Sequence, residues 1–468
     1  MTVTPMTTVS KVTSFQIPHL RAGYAAGTFS PDDVVRQVQH SISLYHDKAV
    51  WIHLVPETEL LVRSQELAAI QRSSKTLPPL FGIPFSVKDS IDVAGLPTTL
   101  ACPSFAYTAE TNALVVDRIL QAGGVLIGKT NLDQFATGLT GTRSPYGAPR
   151  CALDSDYISG GSSSGSAVSV AASLVSFAIC TDTGGSTRVP AALNGIIGLK
   201  PTLGCISTTG VFPACKNIDC VCIMARTIDD AETVWSVAEY FDSTDPFARR
   251  EIPSWPPWSS PVRVGVPAVE ALQTLSPVYS SLFQETMAGV FSNAQFAITE
   301  FDYSPFEKAN QMLYDSSIVA QRLLAFKDYI SSHGLELLHP AIRATFETAE
   351  ANAFDAVKAY ADIFQLSQHK RDAEVEFKNI DILVVPSTVC HWTMSELRDD
   401  PMERNKVMGK FTSFVNLLDL CGISVPVRTW RSANDNVMSF GVTIIAQAGR
   451  DAEVMEIGRK IMGLFSPR

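Results

Sequence analysis

No uninterrupted apolar run approaches the roughly 20 residues that a helix needs to cross a bilayer, so a membrane span is not expected. An excess of cationic side chains is also missing. Lys and Arg number 37 against 47 Asp and Glu, a formal net charge of −10, which offers no electrostatic footprint for nucleic acid or an anionic membrane. No Cys-x-x-Cys pair occurs among the nine irregularly spaced cysteines. Cys220 and Cys222 stand too close for a zinc knuckle, and the odd count argues for reduced thiols in a cytoplasmic protein. Neither a metal nor a cofactor is expected. The N-terminal "MTVTPMTTVSKVTSFQIPHL" lacks the apolar core of a secretory leader, and the final "SPR" is neither a peroxisomal address nor a prenylation box.

What is present is an ordinary globular composition, with 46% apolar and 18% charged residues in a chain of 468. Ser30-Pro31-Asp32-Asp33 reads as an N-cap, a proline at the first helical position and an acidic first turn, followed by an apolar face of Val34, Val35, Val38 and Ile42. A second helix is predicted over Glu57 to Gln71, a strand within Leu80 to Asp89, a helix over Thr111 to Ala122, and a short strand Val125 to Ile127 ending at Gly128. Residues 166–180 read as a tightly packed helix followed by a buried strand. This alternation predicts an α/β fold, a mixed, largely parallel sheet covered by helices on both faces. The Pro- and Ser-rich "IPSWPPWSSP", residues 252–261, is expected to be a surface loop within one domain of 1–468, because "DILVVPS" and "SFGVTIIA" beyond it look like strands of the same sheet. Residues 340–380 are polar and helical in pattern.

Two stretches carry chemistry. "ISGGSSSGSA" and "TDTGGSTRVPAALNG" each run a glycine pair into a serine, Ser162 and Ser186. Glycine pairs allow tight turns whose N–H groups can line an anion-binding nest, and a serine at the end of such a turn places its hydroxyl beside them. Gly161-Ser162-Ser163-Ser164-Gly165 also satisfies the G-x-S-x-G elbow of serine hydrolases with a histidine base. That reading needs a preceding strand and a downstream histidine. "LDSDYI" is a poor strand, and His333, His339, His369 and His391 have no persuasive setting. A lysine can serve as base where burial lowers its pKa, and Lys88, at the end of the apolar run "FGIPFSV", is the candidate. The alternative for Lys88 is a lysine snorkelling at a sheet rim.

"FGIPFSVKDSIDVAGLPTT", "GKTNLDQFATG", "ISGGSSSGSAVSVA" and "TDTGGSTRVPAALNGIIGLKPT" together resemble the amidase signature family. The resemblance implies a Ser–Ser–Lys triad: Lys88 as base, Ser162 as bridging serine with a cis peptide bond, and Ser186 as nucleophile. It places the oxyanion against the N–H groups of Thr183, Gly184, Gly185 and Ser186. Asp182 and Arg188 are read as an ion pair or caps that hold the loop. Within the family, "TNLDQFATGLTGTRSPYG", "STTGVFPACKNIDCV" and "FTSFVNLLDLCGISVPV" are similar to the allophanate hydrolase branch. That branch implies carboxylate binding by a Tyr and an Arg on one helix, here Tyr314 and Arg322 in "LYDSSIVAQR".

The sequence departs from the branch in three places. Ser316-Ser317-Ile318 stands where Gly-Pro-Trp is usual, Gln321 where Glu is usual, and Gly184-Gly185-Ser186-Thr187 where Ala-Gly-Ser-Gly is usual. The further C-terminal domain often found in that branch is not expected within this chain. The expected partner is a small amide, anionic if the branch holds. A homodimer is left open, as are an amidase acting on another small amide and a non-catalytic subunit that only binds.

Overall fold

The computed structural model describes residues 12–74, 76–258 and 260–465. Residues 1–11 and 466–468, on which most of the leader reading and the "SPR" reading fall, lie outside the described residues. Among the described residues there are thirteen strands: β1 Trp51–Leu54, β2 Pro84–Lys88, β3 Pro97–Thr98, β4 Tyr107–Thr108, β5 Val125–Thr130, β6 Phe177–Asp182, β7 Ile197–Lys200, β8 Cys220–Ala225, β9 Val262–Gly265, β10 Phe296–Ile298, β11 Ile382–Pro386, β12 Leu420–Arg431 and β13 Val437–Gln447. All but β3 and β4 join one 11-stranded mixed sheet in the order β1-β5-β2-β6-β8-β7-β12-β13-β11-β9-β10. Strands from before and after the 252–261 loop thus share this sheet, as "DILVVPS" and "SFGVTIIA" suggested.

The part of the sheet that matters for chemistry is β5-β2-β6, where all strands run parallel. Every residue of β2, β5 and β6 is buried, which is why these segments read as continuous apolar runs instead of alternating ones. Phe85 on β2 stacks on Phe177 on β6 at 5.3 Å between centroids. Because the strands are parallel, their C-terminal ends arrive together, and Lys88 ends β2 beside the end of β6.

Helices start where the caps predict. Ser30 and Asp33 form a reciprocal capping box at the start of helix Pro31–Leu44, and a helix occupies Glu57–Ser73. The helix expected from Thr111 begins only at Leu114, because Asn112 is committed to a turn: its side chain accepts from Ala94 N and donates to Asp117. The strand expected to end at Gly128 continues to Thr130. Gly128 suits the sheet here, since a Cβ on it would come within 2.4 Å of His53 O on β1.

The stretch 166–180 divides as expected, into helix Ser164–Ala171 and strand β6. The helix is made of small residues because it lies against the sheet. It also meets the turn before β1, where a Cβ at Gly165 would come within 2.2 Å of Val50 O. Among the described residues no helix is long and apolar enough to cross a membrane. All nine cysteines are buried and unpaired.

Candidate active site

Lys88 is fully buried at the end of β2. Its ammonium nitrogen lies 2.7 Å from Ser162 Oγ and 2.9 Å from Thr181 Oγ1, donating to both. No carboxylate lies within ion-pair distance of it among the described residues. Burial lowers its pKa to about 8, against the more distant pull of Cys180, Asp219, Asp133 and Asp182. A lysine with this pKa can be neutral near physiological pH and accept a proton.

Ser162 is fully buried, and the Gly161–Ser162 peptide is cis. Ser186 is 4% exposed. The two glycine turns meet through their backbones, Ser163 N donating to Ser186 O at 3.3 Å. Lys88 and Ser162 are therefore joined by a hydrogen bond, whereas Ser186 meets this loop through a backbone contact and its hydroxyl makes no hydrogen bond among the described residues.

The turn that bears Ser186 is held from below. Asp182 Oδ1 accepts from Gly185 N at 2.7 Å and from Arg188 Nη2 at 2.8 Å, while Oδ2 accepts from Thr187 N at 3.1 Å and from Arg188 Nε at 3.0 Å. Burial works against the Asp182 charge, but Arg188 and the Gly185 N–H outweigh it and hold the pKa at about 2. The ion pair read from the sequence is thus present, with both side chains fully buried.

Gly185 departs from the expectation of an oxyanion donor. Its φ is +125° and its N–H is spent on Asp182. It shapes the turn, while the N–H groups of Thr183, Gly184 and Ser186 have no protein acceptor among the described residues. Glycine is required at this position twice over, by its φ and because a Cβ would fall 2.4 Å from Thr412 Oγ1.

Sequence reasoning missed the brace behind this turn. Thr412 Oγ1 donates to Gly184 O at 2.6 Å, Asn416 Nδ2 donates to Asp182 O at 2.6 Å, and Arg188 Nη2 donates to Asn416 Oδ1 at 2.9 Å. These residues belong to "FTSFVNLLDL", which carried family resemblance but no chemical signature of its own. Thr181 was likewise unmarked, although it is the second partner of Lys88.

Tyr314 and Arg322 are brought together, but not on one helix. Helix Ser304–Asp315 ends just after Tyr314, and Arg322 sits on helix Ala320–Ala325. Ser316, in an extended conformation, breaks the run; its hydroxyl donates to Met312 O at 2.6 Å and accepts from Ile318 N at 3.2 Å. The Arg322 guanidinium carbon lies 5.7 Å from the Tyr314 ring centroid. Arg322 is 1% exposed. Its Nη1 donates to Thr137 Oγ1 at 2.7 Å, and its Nε has no partner. Burial opposes its charge, yet Cys215, Tyr314 and Asp219 beside it hold its pKa above the ordinary arginine value. Leu313, adjacent to Tyr314, packs on the Gly184-Gly185-Ser186 turn closely enough that a Cβ on Gly184 would meet it at 2.6 Å.

The histidines of the alternative reading are engaged elsewhere. His391 Nε2 donates to Ile158 O at 2.8 Å, and burial lowers its pKa to about 4. His339 caps a helix through Ala341 N at 3.2 Å. His333 stacks on Tyr329, and His369 has no partner at either ring nitrogen. Ser163 Oγ donates to Thr181 O at 3.2 Å. Among the described residues no group of His, Cys, Asp and Glu is arranged to hold a metal ion.

The profile of the amidase family matches residues 33–455. The chain is 38% identical over 415 residues to the urea amidolyase of Saccharomyces cerevisiae, an alignment covering 88% of this chain and 22% of that protein. It is 36% identical over 423 residues to the urea amidolyase of Lachancea kluyveri, covering 89% of this chain and 22% of that one. The fold superimposes on allophanate hydrolase of Kluyveromyces lactis with a TM-score of 0.86 and 32% identity, across 97% of this chain and 73% of that one. The chain thus spans about a fifth of the length of the urea amidolyases it matches, 22% in each case. The chain belongs to the amidase family.

Proposed function

We propose that the chain hydrolyses a small anionic amide of the allophanate type through an acyl-enzyme on Ser186. The observation that carries this reading is the 2.7 Å hydrogen bond between buried Lys88 and Ser162. A lysine whose near partners are hydroxyls is placed to move a proton through one of them. Neutral Lys88 accepts the Ser162 proton as Ser162 takes that of Ser186, and Ser186 Oγ attacks the amide carbonyl. The oxyanion lies against the N–H groups of Thr183, Gly184 and Ser186. One such donor is typically worth about 2.7–4 kcal/mol. The relay then delivers the proton to the leaving nitrogen, and water attacks the acyl carbon to free Ser186.

Arg322, with Tyr314 beside it, is read as the carboxylate-binding end of the site. Its burial and its unpartnered Nε support this. So does the similarity to urea amidolyase and allophanate hydrolase.

The test is Ser186→Ala, expected to lower amide hydrolysis by about 10⁴-fold or more while the protein stays folded. A fluorophosphonate probe should modify Ser186 in the parent enzyme and nothing in the variant. Labelling of Ser163 instead would return the histidine-base reading, and no labelling would return a binding subunit.

A further inference from the structure

The proposed catalytic reading leaves a buried cation near the site unused. Arg143 is 3% exposed and forms no ion pair among the described residues. Its Nη1 donates to Thr137 O at 3.2 Å and its Nη2 to Pro401 O at 3.3 Å, with Met402 Sδ at 3.9 Å. These carbonyls satisfy hydrogens but supply no negative charge. Arg322 donates to the hydroxyl of the same Thr137. One threonine therefore joins two guanidiniums that are almost wholly removed from water. The nearby carboxylates favour the two cations only from beyond ion-pair distance, Asp133 acting on Arg143 and Asp219 on Arg322; Asp133 accepts from Arg143 N and Gly141 N, and Asp219 from Thr183, Ala214 and Cys215. Two buried like charges without an ion-paired carboxylate are costly, and an anionic ligand at either would offset part of that cost.

A cavity of about 250 Å³ opens on Arg143 and Tyr314, walled also by Val319, Ala349 and Met402. Its other charged lining residues, Asp315, Glu403 and Lys406, are exposed, and Asp315 and Lys406 pair with each other at 3.7 Å. Arg143 is the buried charge of the wall. The volume is well above the roughly 10–15 Å³ that one water requires. Val319 follows directly on Ser316-Ser317-Ile318, the stretch that lacks the branch's tryptophan.

We propose that this cavity is a subsite for the distal carboxylate of amides longer than allophanate, with Arg143 as a specificity-determining residue. The substrate class is the mono-amides of dicarboxylic acids, from succinamate to adipamate. The inference rests on the carboxylate-binding reading of Arg322. A short acid ends at Arg322, and a longer one passes Tyr314 and ends at Arg143.

The experiment compares kcat/KM for malonamate, succinamate, glutaramate and adipamate in the full chain, in Arg143→Gln and in Ala349→Phe. The glutaramate-to-malonamate ratio should fall about tenfold or more in Arg143→Gln, the loss expected when one side of a buried charge pair is removed. Ala349→Phe should lower the same ratio by filling the cavity without touching a charge, and it decides the question if Arg143→Gln fails to fold. An unchanged ratio in the folded variants overturns the subsite, as does a parent enzyme that hydrolyses none of the longer acids. Arg322→Ala separates this failure from that of the underlying reading. Equal losses on malonamate and neutral butyramide would remove carboxylate binding at Arg322 itself.

Discussion

Strands β2 and β5 lie side by side, and each buries a lysine near its C-terminal end. Lys88 and Lys129 are both fully removed from water, and burial lowers the pKa of both. Their partners differ. Lys129 sits 3.0 Å from the Asp89 carboxylate and donates to Pro97 O and Thr98 Oγ1. Lys88 has only the hydroxyls of Ser162 and Thr181. A carboxylate fixes the neighbouring amine as a cation, whereas hydroxyls leave it free to exchange a proton. In these two regions of the sheet, the same residue type is set as a structural charge in one place and as a candidate base in the other by what stands opposite.

Replacing each lysine is the strongest way to break this comparison. Lys88→Met should lower kcat by about 10³-fold or more, toward the upper end of what a positioned base contributes, with little change in melting temperature. Lys88→Arg should not restore it, because a guanidinium does not give up its proton. Lys129→Met should do the reverse. It leaves Asp89 buried and unpaired, a loss of about 3–5 kcal/mol of stability, while the folded fraction keeps its turnover. Asp89→Asn in that background should return part of the stability, since Thr99 N and Oγ1 can still donate to the remaining carbonyl oxygen. Thermal melts and active-site-normalised rates read both outcomes. Equal stability losses at the two lysines would mean that Lys88 is structural as well.

The pH profile sharpens the comparison further. As the proposed base, Lys88 must be neutral to act, and burial lowers its pKa to about 8. Below that value kcat/KM should fall about tenfold per pH unit, reaching roughly 100-fold at two units below the inflection. Above it the rate should level off. A profile flat from pH 6 to 9 would show that no group with this pKa controls the reaction.

The sequence made this contrast only half legible. The glycine turns, the buried strand between them and the end of β2 could be read from glycine pairs and apolar runs, and resemblance joined Lys88 to the two serines. Lys129 lies in the quoted stretch "GKTNLDQFATG", yet nothing local separates its role from that of Lys88. The difference comes from Asp89 and Thr181, which parallel pairing carries to the two amines. The unread features share this origin. The brace from Thr412 and Asn416, the meeting of Arg143 and Arg322 at Thr137, and the break at Ser316 all depend on tertiary placement. Tyr314 and Arg322 show the cost: the resemblance implied one helix, and a serine whose hydroxyl competes for the backbone split it in two.

The finest test of the comparison removes one hydroxyl. Thr181 Oγ1 accepts from Lys88 at 2.9 Å, a hydrogen bond that favours the charged amine. Thr181→Val keeps the shape of the side chain and deletes the acceptor. The ammonium form then loses one of its two side-chain partners, so the pKa of Lys88 should fall further. A charge-assisted hydrogen bond contributes roughly 1.5–3 kcal/mol, but Ser162 remains and the amine can turn toward it, so a shift of about half to one unit is expected. The acid limb of the pH profile should move to lower pH by that amount. The plateau should drop less than about tenfold, the loss expected when a base is held by one partner instead of two. The direction of the shift is the diagnostic feature. A move to higher pH, or a lowered plateau with no move at all, would mean that Thr181 only fills space and that the amine's protonation is set by something other than the hydroxyls around it.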